Sequence, residues 1–294
     1  MEPLVTICIP TYNSGDTINR TIWSLLSQSY RNIEINVVDN GSTDNTVELV
    51  NSFKNPNIKV HAYPYHVPIA EVNWNRCFQY TTGKYSAIFH ADDIYKPYMI
   101  ERQVHILENN ADVCAVFTGG ELIDENDHLI KRIPVVDDYK NEKKLTQRDV
   151  LLSTLNNGNT LFTPSALFDS VVYRDVLAPF RYDMFRYSSD LDMWLRAAVY
   201  SHIVVLDAPL LRYRISGKQG SHTIHNTRTS EEAFFTTVDY YLKKYDDIPQ
   251  ESIDKYEMRR LIDKITCAKN SISQLGMKLP KMIMWGAMKK LGLQ

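Results

Sequence analysis

Ala87-Ile88-Phe89-His90-Ala91-Asp92-Asp93 runs an apolar strand into two adjacent carboxylates, and Ile94-Tyr95-Lys96-Pro97 then turns the chain away. A buried strand that ends in paired acids puts hard oxygen ligands where open α/β sheets bind their ligands. The same build repeats upstream. Residues 4–9 and 33–38 are short β-branched runs that read as strands buried on both faces, and 58–63 reads as a third. Pro10-Thr11-Tyr12-Asn13-Ser14-Gly15 breaks the first, with Ser14 or Asp16 placed to cap a helix bearing Ile18, Ile22, Leu25 and Leu26 at helical spacing. Asn40-Gly41-Ser42-Thr43-Asp44 supplies a turn and cap for a second helix (Val47, Leu49, Val50, Phe53), and residues 69–80 read as a third. This alternation predicts an α/β fold, a mixed, mostly parallel Rossmann-like sheet flanked by helices. Thr11 to Asn13, Asp39, and Asp92 with Asp93 then converge on one rim of the sheet. The GxGxxG fingerprint is absent after the first strand, which speaks against a dinucleotide oxidoreductase.

Composition narrows the classes further. Hydrophobic residues make up 44% of the 294, enough for a real core and too many for a disordered chain. The 33 basic and 35 acidic residues nearly cancel, which argues against a nucleic-acid binder. Cys8, Cys77, Cys114 and Cys267 are widely spaced and form no CxxC pair, so buried reduced thiols are expected rather than a metal or disulfide site. No apolar run approaches the roughly 18 residues of a membrane span, and Met1-Glu2-Pro3 enters a strand without a signal-peptide pattern. A cytoplasmic protein is expected, one that can also sit peripherally on the cytoplasmic face of a membrane.

Pro10-Thr11-Tyr12-Asn13, Val37-Val38-Asp39-Asn40-Gly41-Ser42-Thr43-Asp44 and Asp92-Asp93 together resemble the family 2 glycosyltransferases of the GT-A fold. Asn73-Trp74-Asn75-Arg76 ahead of Gly83-Lys84-Tyr85 fits the same pattern, and the resemblance runs over residues 5–221. It implies an inverting, metal-dependent hexosyl- or N-acetylhexosaminyl-transferase. The donor would be a nucleotide-diphosphate sugar, best guessed as a UDP-sugar, and the acceptor a hydroxyl of a growing surface glycan or lipid-linked oligosaccharide. Pro10, Thr11, Tyr12, Asn13, Asp39, Asn75, Asp92 and Arg214 would then bind the nucleotide sugar. Asp39 can accept the imide N–H of a base and the Tyr12 ring offers a stacking face; Asp39 can equally build an Asx-turn into Asn40-Gly41. Asn75 reads either as a pocket residue or as a structural helix asparagine. Asp93, with Asp92, would bind Mn²⁺ or Mg²⁺ against the charge that builds on the departing diphosphate. His90 stands where many relatives carry an acid, and its role is open.

In the second half, 98–109 reads as a helix, 113–117 as a strand and the polar run 124–149 as loop with short helix. Residues 159–168 read as a strand returning to the site, with Thr163 and Ser165 as candidates for acceptor contacts. Ser188-Ser189-Asp190-Leu191-Asp192-Met193-Trp194-Leu195-Arg196 reads as a serine-capped helix. By resemblance Asp190 is the catalytic base, and Asp192, about 200° further round the helix, reaches a different environment. After a strand at 203–206, Arg214 matches a basic position of the family. Ser216 stands in place of its histidine, leaving His222 or His225 as stand-ins toward the metal. Residues 264–294 carry six lysines and no acid, interleaved with Met282, Ile283, Met284, Trp285, Met288 and Leu291. Such a helix suits an anionic membrane surface and equally suits packing on the domain or on a second copy as a homo-oligomer. The expected division is 1–225 as the glycosyltransferase domain, with 1–118 for the nucleotide sugar and 119–225 for the acceptor, then 226–294 as a helical C-terminal extension. The rival readings are a nucleotidyltransferase and a non-catalytic nucleotide-sugar-binding protein.

Overall fold

β1 (Val5–Thr11), β2 (Ile33–Asp39), β3 (Ile58–Ala62) and β4 (Tyr85–Ile88) pair in parallel in the order β3-β2-β1-β4, as the β-branched runs predict. The structure is a computed structural model, and it describes residues 2–216 and 228–274. α1 (Ile18–Leu26), α2 (Thr46–Ser52) and α3 (Ala70–Cys77) form the crossovers. The period of two along a strand sends side chains to opposite faces. Val5, Ile7 and Ile9 join Ile18, Ile22 and Leu25 of α1 in the core, while the Cys8 thiol, on the other face, donates to the Cys77 carbonyl that closes α3. Helices therefore cover both faces, and β1, β2 and β4 are mostly apolar for that reason. Neither Ser14 nor Asp16 caps α1; Thr17 holds the cap position, and the Ser14 carbonyl accepts the Ile18 N–H.

The second half extends the same sheet. After β5 (Ile94–Tyr95) come α4 (Met99–Asn109), β6 (Val113–Ile123), β7 (Leu129–Ile133), α5 (Gln147–Asn157), β8 (Leu167–Asp169), α6 (Ser189–Tyr200) and β9 (His202–Arg214). The order continues β4-β8-β6-β9-β5, with β7 hairpinned onto β6. β8 is antiparallel to both neighbours, β6 and β9 are parallel, and β5 and β7 are antiparallel. The sheet is thus parallel in its first half and mixed in its second. The boundary expected at 118/119 falls inside β6.

Three expectations need correction. The strand foreseen at 159–168 survives only in its last residues, because Thr163-Pro164-Ser165 forms a short 3₁₀ turn; Pro164 has no N–H to donate to a ladder. The run 124–149 holds β7 and most of the approach to α5, whose Thr146 and Asp149 make a reciprocal capping box. The serine before Asp190, Ser189, is the first residue of α6 rather than its cap, and Ser188 at the cap position makes no side-chain cap bond.

The chain divides into two compact units, 1–215 and 216–294. Within the second, α7 (Ala233–Leu242) and α8 (Gln250–Gln274) bury Phe234, Phe235, Val238, Tyr241 and Tyr256, and Arg228 pairs with the buried Asp263. The helical extension is present over these residues. His222, His225 and the basic segment from Lys278 to Trp285 lie outside the described residues. No described helix is long and apolar enough to cross a membrane.

Candidate active site

The register Thr11↔Asp39 brings the ends of β1 and β2 side by side. The Thr11 hydroxyl donates to Asp39 Oδ1 at 3.3 Å, and Asp39 Oδ2 accepts the N–H groups of Gly41 and Ser42 at 3.1 and 2.9 Å. Asp39 is therefore buried at the head of an Asx-turn, with the Ser42 hydroxyl on Oδ1 as well. Asn13, at φ +48°, accepts the Thr43 N–H at 2.8 Å and ties the first loop to this turn. Pro10 lies inside β1, opposite Val38, and so shapes the strand end. Gly41 is required: at φ +74° a Cβ would lie 2.8 Å from the His66 nitrogen. Tyr12 projects from this frame, 41% exposed, with its ring stacked on His66 at 3.7 Å. His66, in turn, is held by Asn40, whose carboxamide also meets Val67 and Arg76.

Asp92 and Asp93 occupy the turn after β4. The Tyr95 hydroxyl accepts the His90 N–H at 2.8 Å, and the Thr21 hydroxyl lies 2.9 and 2.8 Å from the carbonyls of Ala91 and Asp93, fixing the turn from both sides. Asp93 is fully buried; its Oδ1 accepts the Arg214 N–H at 2.8 Å, and its Oδ2 has no hydrogen-bond partner. His90 Nδ1 stands 3.8 Å from that oxygen, and His90 Nε2 is likewise buried and unpartnered. Donor atoms of His90, Asp92 and Asp93 lie within 4.8 Å of one another. Burial, reinforced by the Asp92 charge, pushes Asp93 well above the usual carboxylate range, with Arg214 pulling the other way. Burial also lowers His90, which favours the neutral imidazole, although the charge of Asp92 opposes it. Two orphaned buried donors beside a second carboxylate are a set that a hard divalent cation fits.

Arg214 takes a different part from the one expected of it. Its guanidinium is buried: Nε and Nη1 donate at 2.7 Å to the carbonyls of Asp92 and Asp124, and Nη2 pairs with Asp127. It clamps the acid turn to the β6–β7 hairpin rather than extending toward a phosphate. Arg214→Met should cost about 3 kcal/mol of stability, as loss of one partner from a buried pair does, and Arg214→Lys should recover little, since a compact ammonium cannot span acceptors spread around the guanidinium fork. Urea denaturation checks both. Asn75 is likewise a brace: its amide donates to the Phe180 carbonyl at 3.1 Å and accepts the Phe180 N–H at 2.7 Å.

Asp190 is the second residue of α6, partly open to solvent. The Thr163 hydroxyl donates to Oδ2 at 2.8 Å and the Leu191 N–H to Oδ1 at 2.7 Å. Burial raises its pKa; these two bonds oppose the rise, and the charge of Glu71 adds to it. Asp192, on the other side of the helix, is sealed between Arg181 and Arg196. Of the two acceptor candidates Thr163 meets Asp190, whereas Ser165 is buried in hydrogen bonds to Phe162 and Thr118. Glu71, His66, Asp127 and Arg76 were not foreseen. Only Arg76 carried a signal, its place beside the quoted asparagines.

With this geometry in place, residues 6–174 match the family described as Glycosyl transferase family 2, and the chain belongs to that family. An uncharacterized glycosyltransferase of Rickettsia prowazekii is 34% identical over 76% of this chain and 68% of its own. The UDP-Glc:α-D-GlcNAc-diphosphoundecaprenol β-1,3-glucosyltransferase WfgD of Escherichia coli is 28% identical over 72% of this chain and 78% of its own. In fold the chain is similar to S. aureus TarS 1-349, solved with UDP-GlcNAc: TM-score 0.66 at 17% identity, over 98% of this chain and 80% of that one. The fold is thus the GT-A-like mixed α/β sheet with flanking helices that the resemblance implied.

Proposed function

We propose that this chain is an inverting glycosyltransferase that moves one hexosyl or N-acetylhexosaminyl unit from a UDP-sugar to a hydroxyl of a growing glycan or lipid-linked saccharide, at the cytoplasmic face of a membrane. The observation that carries the reading is the separation of tasks: an orphaned acid turn at the end of β4, and a distinct carboxylate, lifted by burial, at the start of α6. In an inverting transfer the acceptor oxygen attacks the anomeric carbon, its proton passes to a base, and the bond to the diphosphate breaks with the electron pair leaving on UDP. Asp190 is the base. Its raised pKa makes it a better proton acceptor than an ordinary aspartate, and Thr163 fixes its orientation. Asp93, Asp92 and His90 would hold Mn²⁺ or Mg²⁺, which when bound supplies charge neutralisation for the leaving diphosphate.

Tyr12 presents its ring to the base, and the Asp39 turn holds the loop that carries it. The glucosyltransferase WfgD, by its name, uses UDP-Glc and a lipid-linked acceptor, which supports the choice of donor and acceptor class. Thermal shift and hydrolysis with a panel of nucleotide sugars and Mn²⁺ test this. A UDP-sugar should stabilise the protein and be hydrolysed slowly; response to none of the panel would overturn the reading.

A further inference from the structure

Glu71 sits in the first turn of α3 and is buried, 5% exposed. Its Oε1 accepts the Tyr187 N–H at 3.1 Å. Among the described residues no Lys, Arg or His forms an ion pair with it. A carboxylate taken out of water without a cation is costly, and natural proteins keep such groups mainly where they act. A helix-start position favours a negative charge but does not call for burial. Glutamine would accept the Tyr187 N–H equally well, so that bond does not explain the charge.

The surroundings point to what does. Glu71, Trp74 and Asn75 of α3, and Phe78 just past its end, recur at helical spacing on one stripe. Asn75 and Trp74 meet Phe180, with Trp74 edge-on at 5.3 Å, and Phe78 meets Tyr173 and Phe180. The half-buried Trp74 ring also stacks on His90 at 5.6 Å. This stripe therefore runs from the acid turn to the segment that leads into α6. Tyr187, held by Glu71, comes three residues before Asp190 and is at φ +64°. Glu71 is thereby tied through Tyr187 to the segment that carries Asp190. Two carboxylates joined through one short segment suit a neutral, hydroxyl-rich ligand, because carboxylates accept sugar hydroxyls. The same pair repels phosphate.

We propose that Glu71 is a substrate-contacting acid that accepts hydroxyl hydrogen bonds from an uncharged sugar of the acceptor, beside Asp190. This rests on the transferase reading above. The subsite takes saccharide hydroxyls, and any diphosphate of the acceptor lies away from it.

Glu71→Gln tests this in the full chain, because it keeps the bond to Tyr187 and removes only the charge. UDP affinity is measured by calorimetry, and initial rates are measured with the UDP-sugar returned by the donor screen, Mn²⁺, and a panel of octyl glycosides or water as acceptor. The variant should keep its melting temperature and UDP affinity, while the KM for the octyl glycoside rises about tenfold or more and hydrolysis onto water changes little. An unchanged acceptor KM overturns the assignment, as does a matching loss of UDP affinity. Glu71→Ala also loses the Tyr187 bond; if only this variant is impaired, the role is structural and the proposal falls. A wild-type protein that turns over no nucleotide sugar, even onto water, overturns the transferase reading itself, whereas normal wild-type transfer with unaltered Glu71→Gln kinetics removes Glu71 alone.

Discussion

Asp190→Asn is expected to lower transfer by about 10²–10⁴-fold, the usual contribution of a positioned general base, while UDP and Mn²⁺ still bind normally. The asparagine oxygen still accepts the Leu191 N–H, and its NH2 can donate to the Thr163 hydroxyl oxygen, so the start of α6 should survive. What disappears, on the proposed reading, is the group that takes the acceptor's proton. The pH profile carries the same signature. Asp190 must be ionised to act, and burial raises its pKa. With Mn²⁺ saturating, transfer should therefore fall as pH drops through a value above the ordinary aspartate range near 4, and be constant above it. An acid limb at or below that ordinary value would contradict the role of burial. Full activity in Asp190→Asn would remove it as base. Asp192→Asn is the informative contrast: it disturbs a carboxylate sealed between two arginines and should lower stability instead.

Asp93→Ala should abolish stabilisation by divalent cation and with it cation-dependent UDP binding. The sign of the pH effect follows from burial. Without a cation, Asp93 in the folded chain holds its proton more tightly than in the unfolded chain. Stability contributed by this group is therefore greatest at low pH and declines as pH rises from about 4 through the raised folded value. A cation binds the ionised form, so the gain it brings grows over the same window. Mn²⁺ at about 100 times its dissociation constant should raise the wild-type melting temperature by several degrees near neutral pH, less in mild acid, and not at all in Asp93→Ala. A shift that persists in Asp93→Ala would assign the ion elsewhere.

Much of the first half of the fold was legible because strands covered on both faces must be mostly apolar, and residues 5–9 and 33–38 are, rich in Ile and Val. Helical spacing in α1 was equally plain. The second half hid its strands for physical reasons. β7 has exposed residues at nearly every position, so no alternation marks it, and β9 continues past Pro209 only through a register shift against β6. Thr163-Pro164-Ser165 has strand-like neighbours, yet its proline decides for a 3₁₀ turn. Asp92, Asp93 and Asp190 were legible as site candidates because a strand end and a helix start are definable from pattern. Side-chain direction was not. Arg214 looks like a phosphate ligand until its guanidinium is found facing two carbonyls and Asp127. Asn75 looks like a pocket residue until both ends of its amide meet Phe180. Glu71 escaped notice for the opposite reason: an acid in the first turn of a helix is ordinary on a surface, and only its burial against the loop before α6 sets it apart.

The configuration of the product at its anomeric carbon tests the central claim most directly. A single base at Asp190, acting opposite the leaving diphosphate, requires inversion. With an α-configured UDP-sugar, the proton NMR coupling of the new linkage should report a β-glycoside; an α-glycoside would contradict the account.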